Sequence, residues 1–139
     1  MVRGSRLWLA AALLAAPLVL GMGGGGAGPV SDTIPRPEEN HAATLRDRQG
    51  IVTEVTHLAC GGKTYLPLWR GEGTLLVPFA QVQRVTLGTD GPAGVAVTVV
   101  AAEGQKLAGT LEASLEVTGE TGLGNYRVPV KGLAEITFR

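Results

Sequence analysis

One short chain writes the same phrase twice, and this repetition limits its fold more than any other feature. GTLLVPFAQVQRVTL runs from Gly73 to Leu87, and GNYRVPVKGLAEITF runs from Gly124 to Phe138. Only four of the fifteen positions are identical, but the main apolar positions coincide. Each copy has the same physical grammar. An extended run ends at Val77-Pro78 or Val128-Pro129. Proline has no N–H to continue a ladder, so the strand stops there or lies on a sheet edge. Phe79 and Val82, or Val130 and Leu133, then stand three apart. That spacing suits one helical turn that presses both side chains inward. Val85 and Leu87, or Ile136 and Phe138, alternate after it as a strand requires, with Arg84 and Thr86 or Glu135 and Thr137 toward water.

The segments between the phrases are also strand-like. In LAGTLEASLEVT, Leu107 to Thr118, the odd positions are apolar or small and the even ones mostly polar. A period of two with one wet face predicts one long antiparallel strand, or two broken near Ala113. Val95–Ala102 and Lys106–Leu111 flank Glu103-Gly104-Gln105 and predict a hairpin. Ala59-Cys60-Gly61-Gly62-Lys63 resembles Ala102-Glu103-Gly104-Gln105-Lys106, and each follows a β-branched run. Aligning them gives two homologous halves, about 51–87 and 95–138, with extra residues inserted in the second at Gly119–Gly124. Each half has roughly 40 residues, near the lower limit for folding alone. The halves must therefore share a core or pair with another molecule, which leaves a homo-oligomer open. The expected fold is all-β: a single antiparallel sandwich or pseudo-symmetric small barrel over residues 50–139.

The first residues read differently. Arg3 and Arg6 precede an apolar run, Leu7 to Leu20, and small residues follow. This is the layout of a secretory signal peptide, here residues 1–27, with Gly21 and Ala27 as the two candidate cleavage points. The run is shorter than the roughly 20 residues that span a bilayer as a helix. No stable transmembrane segment is expected after processing. Residues 28–49 hold three prolines, many polar groups and few large apolar ones, as a flexible linker does; His41 falls in it and is expected to be solvated. Without the leader the chain has ten basic and twelve acidic residues and no basic stripe, so nothing marks it for nucleic acid.

Candidate chemistry is sparse. Cys60 is the only cysteine, so no internal disulfide forms. His57 and Cys60 are three apart, which could begin a metal site, but no second Cys/His pair completes one. Glu112 and Glu116 share the wet face of an alternating strand, where paired carboxylates are more simply solvated. No phosphate loop and no G-x-S-x-G nucleophile elbow is present, and two histidines give little to build a catalytic triad from. An enzyme is not expected, nor a cofactor. Tyr65 and Trp69 flank Pro67 in TYLPLWRGEG; with Arg70 they form a candidate aromatic platform for glycan or peptide, against the simpler reading of a core strand.

TVVAAEGQKLAGTL through NYRVPVKGLAEITF resembles small exported bacterial proteins of unknown function. In these, a hairpin around a polar glycine turn leads to a Val/Ile-Pro phrase and an Ile/Val-x-Phe strand. The resemblance covers most of residues 50–139 and implies a bacterial envelope setting but no functional residues. The short turn before each last strand also resembles SH3-like and Sm-like barrels, in fold only. The functional expectation is an exported, non-enzymatic β domain that binds or scaffolds an envelope protein or glycan. Its contact surface would be TYLPLWRGE with the loop Gly119–Gly124. The alternative is a small-ligand or metal-binding module using His57 and Cys60.

Overall fold

The computed structural model describes residues 33–139, of which Ile34–Arg139 form one compact unit. The signal-peptide reading of residues 1–27 and the first part of the linker lie outside the described residues. Ten strands follow one another: β1 (Ala43–Asp47), β2 (Val52–Cys60), β3 (Tyr65–Arg70), β4 (Gly73–Pro78), β5 (Val82–Gly91), β6 (Gly94–Ala101), β7 (Lys106–Leu111), β8 (Glu116–Glu120), β9 (Asn125–Pro129) and β10 (Leu133–Phe138). They form a single antiparallel sheet, curled into a half-barrel, in the order β4-β3-β7-β6-β5-β10-β1-β2-β8-β9. The described residues contain no α-helix, only 3-10 turns, two of which are Phe79–Gln81 and Val130–Gly132. The all-β expectation holds. The architecture is one curled sheet rather than two packed ones.

The phrase grammar is realised at both sites. β4 and β9, which end in Pro78 and Pro129, are the two outermost strands, where a missing N–H costs no ladder bond on the open side. Each 3-10 turn then drives its apolar pair inward: Phe79 and Val82 are 2% and 5% exposed, Val130 and Leu133 fully buried. Equivalent hydrogen bonds pin the turns, Phe79 N–H to Thr64 O at 2.9 Å and Val130 N–H to Leu115 O at 2.8 Å. β5 and β10 pair at the centre of the sheet, and the register places Val85 opposite Ile136. Both are buried, beside Leu45 of β1 and Val99 of β6. Burying a side chain of this size contributes about 1.5–3 kcal/mol.

The strand order is palindromic. Replacing β1–β5 by β6–β10 and the reverse returns the same sheet read backwards. The register obeys the same rule. Tyr65 pairs with Pro78 and, 51 residues on, Glu116 pairs with Pro129. Val85 and Ile136 are also 51 apart, and they face each other. Residues 64–87 therefore correspond to 115–138 without a gap. This correspondence differs from the one drawn on sequence. The β6–β7 hairpin matches β1–β2, not β2–β3, and Gly119–Gly124 is no insertion but the counterpart of Leu68–Gly73.

The linker expectation also needs correction. Ala43–Asp47 is strand β1, held between β10 and β2, with Ala43 and Leu45 buried. The residues before it, Ile34 to His41, run as an arm along β2 and β8. Arg36 Nε ion-pairs with Glu120 Oε2 at 2.9 Å. Asn40 Oδ1 accepts from His57 N–H at 2.9 Å, and His41 O from Leu58 N–H at 3.0 Å. His41 is not free in solvent: its ring stands edge-on to Phe79, 5.5 Å between centroids, and its Nε2 lies 2.8 Å from Glu39 Oε1.

Candidate functional site

Alternation along β3 divides its side chains. Leu66 and Leu68 are buried in the core. Tyr65, Pro67 and Trp69 occupy the opposite face, and Trp69 is 43% exposed while Tyr65 is half-buried. Arg70 is exposed at the strand end, on the other side from Trp69 by the same alternation. On β4, Leu76 lies opposite Pro67 and Thr74 opposite Trp69. Leu75 and Leu76 are 42% and 52% exposed. The strand thus has no partner on its outer side, no charged residue and two exposed leucines. Sequence reading singles out Tyr65 and Trp69 but neither leucine of β4, Leu76 on the same face and Leu75 on the opposite one. Their exposure depends on β4 being an outer strand, which only the sheet order fixes.

Beside Trp69 an open cleft of about 270 Å³ is lined by Asp90, Pro92, Glu112, Ala113 and Ser114, among others. It lies where the β5–β6 turn approaches the loop between β7 and β8. Gly94 makes that approach possible: its φ is +116°, and a Cβ there would stand 2.5 Å from Leu111 O. Ser114 Oγ donates to Glu112 Oε2 at 2.9 Å and orients that carboxylate. The two glutamates considered as a pair are separated in role. Glu112 borders the cleft, whereas Glu116 sits on β8 with Arg127 Nε at 3.7 Å.

His57 and Cys60 sit in different surroundings. Cys60 is part of the hydrophobic core, and burial pushes its thiol pKa up to about 12. His57 occupies a bulge of β2 with φ +52°, and its Nδ1 lies 3.6 Å from Glu120 Oε1 under the arm. Among the described residues no three His, Cys, Asp or Glu side chains converge as ligands. In the loop Gly119–Gly124, Thr121 Oγ1 accepts from the backbone N–H groups of Leu123 and Gly124, leaving Leu123 fully exposed at the tip.

Fold and surface together define an all-β domain whose distinctive features are a face and a cleft. A family model described as "Uncharacterised protein" matches residues 37–139, and the chain belongs to that family. The matched stretch includes β1, in keeping with that strand's place inside the sheet. No curated protein matches the chain, and no solved structure matches it. Among the described residues no helix is long and apolar enough to cross a membrane.

Proposed function

We propose that this chain is an exported, non-enzymatic β domain of the bacterial envelope that binds or scaffolds a partner through the β3–β4 face. The observation that carries this reading is the uncharged outer strand β4, with Leu76 and Trp69 in solvent on one face and Leu75 exposed on the other. Proteins commonly protect such edges with charge. β9, the other edge, follows that rule through Arg127 and its ion pair with Glu116. An unprotected edge offers backbone donors and acceptors to an added strand, and its side chains give selectivity. The partner class is an envelope protein or a glycan stacking on Trp69. Export rests on the charged start, apolar run and small residues of 1–27. The two sets of five strands are homologous copies; the palindromic strand order and the gapless correspondence of 64–87 with 115–138 support this.

The reading is tested in a bacterium expressing the full chain with a photo-crosslinking residue at position 76 or, as control, at the exposed turn position 103. The expected result is an extracytoplasmic protein beginning after Gly21 or Ala27 that forms an adduct from position 76 and none from 103. Retention in the cytoplasm with an intact start, or equal adducts from both positions, would contradict it.

A further inference from the structure

The cleft beside Trp69 has a counterpart in the same molecule, and the counterpart is filled. The correspondence relates Trp69 to Glu120, and the turn before β8, at Ala113-Ser114, to the turn before β3, at Gly61-Gly62. At the Glu120 site the arm supplies the filling. Arg36 pairs with Glu120, and Pro35 lies so close to Gly62 that a Cβ there would meet its Cγ at 3.6 Å. At the Trp69 site the chain preceding β6 cannot do the same. It comes from β5 through the turn at Gly91–Gly94 and carries no extended arm. The open space is the cleft.

Charge says what fits there. Glu54, Glu116, Glu120 and Glu135 each have an arginine partner. Asp90 and Glu112, which line the cleft, make no ion pair among the described residues; the hydroxyl of Ser114 is the partner of Glu112. Two unneutralised carboxylates beside an exposed indole attract a cation, through Coulomb interaction and through the ring face. Extended segments containing proline bind at low entropic cost.

We propose that the cleft binds an extended peptide segment of another protein containing proline next to a basic residue, as Ile34-Pro35-Arg36-Pro37 does at the counterpart site. As at the counterpart site, the proline packs at the turn, on Ala113 and Ser114, and the basic group lies over the Trp69 ring with Asp90 and Glu112 beside it. This rests on the reading of the β3–β4 face as a contact surface and names the chemistry of its partner.

The test titrates the full chain with the capped peptide Thr-Ile-Pro-Arg-Pro, the chain's own arm sequence, and follows backbone amides and the Trp69 indole N–H by NMR, assigned with Trp69→Phe. The expected result is saturable shifts of Trp69, Ala113 and Ser114 that weaken with added salt. A peptide with Gln for Arg should bind at least about tenfold more weakly, as one lost charge-assisted contact implies. The Asp90→Asn/Glu112→Gln variant should show the same loss with an unchanged melting temperature. Absence of saturable shifts, equal binding of the Gln peptide, or shifts confined to the Glu120 site would overturn the inference. Crosslinking from position 76 without a response to this peptide would overturn the peptide chemistry and leave the contact surface standing.

Discussion

Two residues show how little room the core allows. A Cβ added at Gly119 of β8 would stand 2.6 Å from the Cβ of Val55 on β2. At the corresponding crossing, Gly109 of β7 lies against Leu68 of β3, with a Cβ-to-Cβ approach of 3.3 Å. Each crossing therefore takes one large and one absent side chain. Gly119→Ala is expected to cost about 1–3 kcal/mol through overpacking, whereas Gly122→Ala, which meets nothing within 4 Å, should leave the urea midpoint unchanged. Cys60 makes a second residue-scale prediction. Its thiol is buried and held protonated, so the native protein should resist thiol reagents at neutral pH and react after denaturation. Its pKa of about 12 exceeds the ordinary value of 9.0. Above pH 9 the unfolded chain releases this proton while the folded one keeps it, so the stabilising contribution is lost as pH rises through this window. The slope is about 1.4 kcal/mol per pH unit. Thermal melts should show this steeper fall for the wild type than for Cys60→Ala between pH 9 and pH 11.

Elements differ in how far their sequence reveals them. The 3-10 turns were readable because Val-Pro stops a strand and an apolar pair three apart requires a turn. Phe79, packed on Phe138 with centroids 5.1 Å apart, is the largest of the side chains these turns bury. Phe79→Ala should cost about 3–5 kcal/mol in chemical denaturation, and Val130→Ala, which removes less volume from the equivalent site, should cost less. The run from Leu107 to Thr118 reads equally as one strand or as two broken near Ala113, and the structure has the two. The wet face expected of that run fails at Thr118, which is 3% exposed on the side crossed by the arm. No local pattern announces such a cover. Strand β1 was hidden for a related reason. ATLRD offers only Ala43 and Leu45 to the core and sits among prolines and charges, so its order comes from pairing with β2 and β10. The hairpin correspondence slipped by one hairpin because Cys60-Gly61-Gly62-Lys63 imitates the turn after β6. The turn after Asp47, which holds the equivalent place in the sheet, shares little composition with it. Of the candidate site, the aromatic pair on β3 was visible; the cleft joins three segments distant in sequence and was not.

At the scale of the molecule, the pairing pattern decides how the chain folds. Nine ladders join the ten strands, and the four within a set of five strands are all hairpins: β1–β2, β3–β4, β6–β7 and β8–β9. The other five, β5–β6, β5–β10, β1–β10, β2–β8 and β3–β7, bridge the two sets. Alone, either set has two disconnected hairpins and an unpaired last strand, and isolated hairpins are marginal in water. The most direct measurement is therefore equilibrium unfolding of fragments 33–91 and 92–139, separately and mixed. The account predicts no cooperative transition in either fragment and recovery of sheet structure with a sharp transition in the equimolar mixture. A cooperative, monomeric unfolding transition in one fragment by itself would contradict it.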